Sequence, residues 1–450
     1  MNLDQLRALF VAFGCRKLYA KQLATNDNSK NQVYFAGAVE VLNALPSRQI
    51  FAENTARGPS FKALLDFGWL DDDGKVAEAP EAKLILYSQY PEVRFSGFLQ
   101  RCKAGPSVLM ADRQRAEKLP AAIRESLIDR VLFLGVTKDK RVLGYVAAGN
   151  STVAAEFRVG SFPTAFVVFQ DIPLAEELSG TESRKRLLYA LGRIHRKGWI
   201  ESKQLHKDGT IKPCTAPQCG GFTLEAELGI PKNSDAEPDF LGWEVKQFAV
   251  DDFAKVESSK PITLLTPEPD GGFYKDADVE EFVRKFGYAD KKGRADRINF
   301  GGRHFAGKVC AATQLALRLD GYDLDSAKIL DACGKISLVS VDGEIAASWS
   351  FPKLFEHWAQ KHSKAVYVPS QRRIETKWEY CYGDKVRLAE GTDSLLLLKA
   401  FAAGAMYYDP GIKIENASME KVKPKKRSQF RVASRDLGSL YASIDTVEVL

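Results

Sequence analysis

Asp239, Glu244 and Lys246 bring two carboxylates and an ammonium into one short stretch, Pro238-Asp239-Phe240-Leu241-Gly242-Trp243-Glu244-Val245-Lys246. If the segment around residue 244 is a strand, Glu244 and Lys246 share one face and Trp243 and Val245 the other. A turn at Gly242 then brings Asp239 beside Glu244. Side-by-side carboxylates repel, and their oxygens suit a hard divalent ion such as Mg²⁺. Such an ion polarises a phosphoryl oxygen and acidifies a bound water. A lysine on the same face holds the attacking water and offsets charge growing on the phosphate. Glu225, on a predicted short helix ending at Gly229, offers a third carboxylate. Together these residue types suit metal-assisted phosphodiester hydrolysis. The triad spacing alone also occurs on strands whose charges simply face water, so the flanking residues have to decide.

The elements that must position this cluster divide the chain in two. Residues 1–45 open with helical spacing (Leu3, Leu6, Leu9, Phe10, Phe13) and continue into a strand-like stretch near Tyr19. Residues 80–170 hold short β-type runs, among them Lys83–Tyr87, Val108–Met110, Arg130–Val136, Val142–Val146 and Ala165–Phe169. The apolar pattern thins over 172–183. Thr181-Glu182-Ser183 is expected to cap a helix from Arg184 to Lys197, after which helical and strand patterns alternate. The expected domains are therefore 1–180, mostly β, and 181–450, of α+β or α/β class.

Composition limits the remaining possibilities. The 450 residues are 45% hydrophobic and 27% charged, which excludes wholesale disorder and a disulfide-stapled miniprotein. No apolar run reaches the ~18 residues of a membrane span, and the start, Met1-Asn2-Leu3-Asp4-Gln5, lacks a signal-peptide layout, so a cytoplasmic protein without membrane contact is expected. Seven scattered cysteines argue for reduced thiols. Cys214 and Cys219, with His206 upstream, read as loop thiols rather than a zinc site, because no second ligand cluster is near. The net charge of +6 says little, but seven Lys or Arg and no acid lie between Lys421 and Arg435.

The residues flanking the triad resemble the MvaI/BcnI family of restriction endonucleases, to which the mismatch-repair nickase MutH is related. The matching features are Leu224-Glu225 with Leu228-Gly229, Pro238-Asp239-Phe240 and Glu244-Val245-Lys246. They continue through Gly198-Trp199, Thr266-Pro267-Glu268-Pro269-Asp270-Gly271-Gly272, Arg297–His304 and Tyr407-Tyr408-Asp409-Pro410-Gly411. The likeness runs over about residues 184–450. It implies a PD-(D/E)xK nuclease core, with Asp239, Glu244 and Lys246 as catalytic triad, Asp239 and Glu244 as metal ligands, and Glu225 as the preceding helix carboxylate.

The same resemblance implies contacts to double-stranded DNA. Arg303 and His304 follow the Gly301-Gly302 turn, with Lys308 behind; an arginine there suits guanine or phosphate. Arg372 and Arg373 lie between strand-like Tyr367-Val368 and Trp378–Tyr380. Asp409, Lys413, Arg427 and Arg431 fall on or near expected C-terminal loops, and Lys421, Lys423, Lys425 and Lys426 suit phosphates. Residues 19–47 resemble the start of the effector domain of EcoRII, a DNA-binding pseudobarrel, where Lys21, Asn26, Asn28, Lys30 and, further on, Tyr87, Tyr90, Arg94 and Phe95 would face DNA.

The implied activity is a Mg²⁺-dependent, site-specific double-strand endonuclease of a restriction-modification system. Its target would be short and C/G-rich, near CC-x-GG. It would act as a monomer, with a cognate methyltransferase in the host but not in stable complex, and with the N-terminal domain as effector. The alternatives are a MutH-like repair nickase and a DNA-binding protein that does not cut. The intact Glu225, Asp239, Glu244 and Lys246 weigh against the latter, and a separate N-terminal domain weighs against the former.

Overall fold

The computed structural model describes the chain except residues 25–30, 37–44, 56–57, 88–91, 167, 175–179, 217 and 233–237. It forms two compact units, Met1–Glu177 and Leu178–Leu450.

The first unit is mostly β. Helix Leu3–Ala12 opens it, started by a capping box in which Asn2 and Gln5 satisfy each other's backbone N–H groups. Its buried face, Leu3, Leu6 and Phe10, shares a core with Leu18, Val131 and Phe133. A seven-stranded sheet runs in the order Thr164–Phe166, Phe169–Asp171, Cys15–Gln22, Val131–Thr137, Val142–Ala147, Phe67–Leu70, Val76–Glu78. A five-stranded antiparallel sheet runs Val33–Ala36, Glu92–Ser96, Lys83–Tyr87, Gly58–Leu64, Gln49–Thr55. Aromatic rings join the sheets: Phe35 and Phe95 of the smaller meet Phe67, Trp69 and Phe169 of the larger. Val108–Met110, expected as a strand, is a turn that drops Met110 into the core.

The second unit is mixed α and β. Its largest sheet holds Ile200–Glu201, Trp378–Tyr382, Lys364–Ile374, Lys385–Glu390 and Ser443–Glu448, with Glu244–Ala249 paired parallel to Lys364–Ile374. Helix Gly180–His195 lays Leu187, Leu188, Leu191 and Ile194 on one side of that sheet, with Trp243, Val245, Val366 and Val368. The other face is covered by the larger core that includes Phe248, Trp358, Tyr367 and Leu397. Burial on both sides explains why the central strand reads Ala365-Val366-Tyr367-Val368 without polar alternation.

Four local expectations change. Thr181, Glu182 and Ser183 lie inside the helix rather than capping it; Ser183 is turned inward to a tertiary partner. Arg372 and Arg373 belong to the strand itself, which extends to Ile374. Lys413 and Arg431 are strand residues, within Gly411–Glu415 and Phe430–Ala433, because each pairs with a neighbouring strand. Cys214 and Cys219, expected as thiols, form a disulfide at the start of helix Cys219–Glu227. Among the described residues no helix is long and apolar enough to cross a membrane.

Candidate active site

The cluster is assembled from a turn, a strand and a helix. Phe240 and Trp243 exchange backbone hydrogen bonds (3.0 and 2.9 Å) around a tight turn. Leu241 and Gly242 take positive φ there, +49° and +81°; the second is a natural glycine position. The turn folds Asp239 back so that its Oδ2 accepts from the Val245 N–H at 3.0 Å. Below it, the Trp243 indole is buried and donates to Ser183 Oγ (2.9 Å), while Ser183 donates to the Leu241 carbonyl (3.1 Å). One serine on helix Gly180–His195 thus holds both the ring and the backbone of the turn. Sequence reading missed this role, since nothing local to Ser183 signals a partner so far along the chain.

Strand Glu244–Ala249 carries the next two groups. Glu244 is 1% exposed, and its Oε1 accepts from Lys246 Nζ at 2.5 Å. Its Oε2 is buried without a hydrogen-bond partner among the described residues. Burial pushes the Glu244 carboxyl above its ordinary range, and Asp239 adds to this, while Lys246 pulls the other way. Burial alone would lower the Lys246 ammonium; Glu244 first, then Asp239 and Glu225, outweigh it and hold the lysine charged.

Glu225 comes from helix Cys219–Glu227, which ends ahead of Gly229 at φ +76°. The helix is seated closely: a Cβ on Gly220 would meet the Gln247 side chain at 2.8 Å and Tyr380 at 3.0 Å, and Tyr382 donates to the Gly220 carbonyl (2.7 Å). Burial, then Asp239 and Glu244, push the Glu225 carboxyl up to about 7 against the opposing pull of Lys246. Glu227, two residues on, is spent on Lys197 and Lys203, each at 2.5 Å. The free carboxylate of this helix is therefore Glu225.

An orphaned, buried carboxylate oxygen on Glu244 beside a second carboxylate is the environment a hard cation satisfies. Among the described residues no three His, Cys, Asp or Glu side chains form a ligand group for a metal ion. Mg²⁺ does not require three, since it commonly keeps waters and substrate phosphates beside one or two carboxylates.

The candidate DNA contacts separate into groups. Arg303 is exposed and lies over the Tyr407 ring, 5.5 Å from its centre. The preceding Gly302 sits at φ +125°, where a Cβ would strike Cys310 Sγ at 2.8 Å. His304, expected at the surface, is fully buried: its Nε2 is 2.7 Å from Thr313 Oγ1, its backbone bridges to Tyr408, and it stacks on Phe300. Extended backbone sends adjacent side chains to opposite sides, so an outward Arg303 puts His304 inside. Lys308 is exposed. Tyr407 pairs across the sheet with Arg431, whose guanidinium bonds Asp409 (2.7 Å) and Thr263 (3.0 Å). Arg427 is exposed beside Gly411. Lys413 and Lys425 are both paired to Glu415, at 2.8 and 3.0 Å. Arg372 lies over Trp378 at 4.8 Å; Arg373 lies over Trp199 at 4.6 Å and is tied to Glu379 at 2.6 Å.

In the first unit, Lys21 donates to the Tyr34 carbonyl and lies near the Tyr34 and Phe169 rings, and burial lowers it to about 8. Tyr34 pairs with Arg94, which is bonded to Glu92 at 2.8 Å. Asn26, Asn28, Lys30 and Tyr90 lie outside the described residues.

Comparison with known proteins places the second unit. The chain covers 99% of the structure described as restriction endonuclease MvaI–cognate DNA substrate complex, with 60% of its own length, 18% identity and a TM-score of 0.45. It covers 98% of restriction endonuclease MvaI in the absence of DNA, again with 60% of its own length, at 16% identity and a TM-score of 0.32. No curated protein sequence matches it. The model of the MvaI/BcnI restriction endonuclease family matches residues 188–441, more than half of the chain and the stretch that contains Glu225, Asp239, Glu244 and Lys246. The chain belongs to the MvaI/BcnI restriction endonuclease family and is a type II restriction endonuclease.

Proposed function

We propose that the chain is a Mg²⁺-dependent endonuclease of a restriction-modification system that cuts both strands of DNA at a short C/G-rich target of the CC-x-GG kind. The observation that carries this reading is that Glu225, Asp239 and Glu244, from three elements, each act on the charge of Lys246, inside the region matched by the family. Asp239 and Glu244 would hold the metal, which supplies a polarised phosphoryl oxygen and a more acidic water. The residues do the rest. Lys246 stays an ammonium, so it donates to the water or to the phosphate rather than accepting a proton. Glu225, raised to about 7, is poised to accept a proton near neutral pH and to orient the water.

In this reading the exposed Arg303, Lys308, Arg427 and Arg372, and the Asp409–Arg431 pair, meet DNA. Lys421 to Lys426 neutralise phosphates. The first unit, through Lys21, Asn26 and Arg94, binds a second copy of the target and regulates cleavage. The enzyme acts as a monomer in the cytoplasm, beside a methyltransferase that protects host sites.

The test is incubation of the purified protein with plasmid DNA in Mg²⁺ and in EDTA, followed by sequencing of the ends. Defined ends at one short sequence, formed only with the metal, are expected. Nicked circles that never become linear would favour a nickase. Intact plasmid under both conditions would refute the nuclease reading.

A further inference from the structure

The fold brings a second lysine to the same carboxylates. Helix Phe351–His362 ends just ahead of strand Lys364–Ile374. That strand runs parallel to Glu244–Ala249, with Ala365 opposite Glu244 and Tyr367 opposite Lys246. The helix's last turn therefore reaches the sheet at the end where the catalytic strand begins.

That turn is fixed in place. His362 is fully buried and stacked on Trp358. Its Nδ1 is 3.2 Å from the Tyr441 hydroxyl and its Nε2 is 3.3 Å from the Leu264 carbonyl oxygen. The Tyr441 hydroxyl in turn lies 2.7 Å from that of Tyr367, the residue paired with Lys246. A chain of buried polar groups thus ties the helix end to the strand beside the site.

Lys361 precedes this anchor and is only partly buried. Its charge is felt by both Glu225 and Glu244. Lys246 is engaged by Glu244, whereas Lys361 has no hydrogen bond or close ion pair among the described residues. Even with a divalent ion on Asp239 and Glu244, three carboxylates and one ammonium leave the site no net positive charge with which to attract a phosphodiester. A second ammonium, not consumed by a carboxylate, is the group a backbone phosphate would meet.

We propose that Lys361 is a phosphate-binding residue of the catalytic site, its ammonium donating to a non-bridging oxygen of the DNA backbone at the position of cleavage. This rests on the nuclease reading above. Lys361 takes no proton and forms no bond to substrate; it holds the phosphate against the carboxylates and offsets the charge that grows on it.

The test uses the full-length enzyme, a cognate duplex and Mg²⁺, comparing wild type, Lys361→Ala, Lys361→Gln, Lys361→Arg and Lys246→Ala. Single-turnover cleavage should fall roughly a hundredfold in Lys361→Ala and Lys361→Gln. The slope of log binding constant against log salt should shrink by about one contact. Lys361→Arg should restore most of both, at an unchanged melting temperature. If Lys361→Ala and Lys361→Gln cut at the wild-type rate with the wild-type salt slope, while Lys246→Ala is dead, the proposal is overturned and the nuclease reading stands. If Lys361→Arg is as impaired as Lys361→Ala and all three variants melt early, the lysine is structural, and the proposal is likewise overturned. A wild-type enzyme that leaves DNA intact overturns the nuclease reading and this proposal with it.

Discussion

Lys246 Nζ lies 2.5 Å from Glu244 Oε1, and both side chains leave the same face of one strand. The pairing keeps a nearly inaccessible carboxylate partly compensated while its other oxygen has no partner among the described residues. A buried charge with one satisfied and one orphaned oxygen is unfavourable for folding and useful for binding a cation.

Removing the neighbouring carboxylate or the ammonium should act on chemistry. Asp239→Ala and Lys246→Ala are each expected to lower cleavage by roughly 10³-fold or more while retaining affinity for the duplex. Plasmid cleavage in Mg²⁺ together with gel shifts checks this. Near-normal cutting by Asp239→Ala would remove it from the site.

Glu225 should make stability depend on pH in a particular direction. Its folded carboxyl is pushed up to about 7 from an ordinary 4.5, chiefly by burial. The folded state therefore keeps a proton that the unfolded state releases. Stability should be greatest below that window and should decline as pH rises through it, by at most about 3 kcal/mol. Glu225→Gln should abolish the decline. Urea titrations in EDTA at pH 5 and pH 8 measure it, and parallel losses in both proteins would contradict the assignment.

Ser183→Ala removes the acceptor of the Trp243 indole and the donor to the Leu241 carbonyl at once. A loss of about 1–3 kcal/mol is expected. Cleavage should slow even where the protein is fully folded, because the turn that presents Asp239 loosens. Melting curves and single-turnover rates, compared with Ser183→Thr, separate the two effects.

Arg303 and His304 are neighbours with opposite duties. Arg303→Ala should weaken cognate binding by about 1–3 kcal/mol without altering the melting temperature. His304→Ala should melt the fold earlier, since it empties a buried site beside Phe300 and Thr313. The reverse pattern in binding and calorimetry would show that the two roles had been exchanged.

The two compact units should be separable. A fragment beginning at Leu178 is expected to cut cognate DNA unaided. Residues 1–177 expressed alone should bind duplexes bearing the target more tightly than scrambled ones. A gel-shift titration of the N-terminal fragment at low salt decides; equal or absent shifts on both duplexes would leave it without an effector role.

Much of the local geometry was legible because it is local. The return of Asp239 toward Glu244 needs only a turn through Gly242, and the shared face of Glu244 and Lys246 follows from strand periodicity. Ser183, Trp243 and Tyr441 were not legible as supports, because each acts through a partner far away in sequence. His304 was misread because its neighbour Arg303 is exposed, and a glycine-rich turn does not disclose which of two adjacent residues it turns inward. The disulfide at Cys214 and Cys219 escaped notice because composition describes a compartment, whereas pairing depends on where a helix begins.

The parallel register between Glu244–Ala249 and Lys364–Ile374 has a consequence for timing. A chain whose synthesis has not passed residue 374 already contains Glu225, Asp239, Glu244 and Lys246, yet lacks the strand against which Glu244 and Lys246 are aligned. The strand that carries them is paired only by a closure between segments far apart in sequence, the slow kind of step in folding. A copy that stops short of that strand would therefore be harmless to the DNA around it, and competence to cut would arrive late in synthesis.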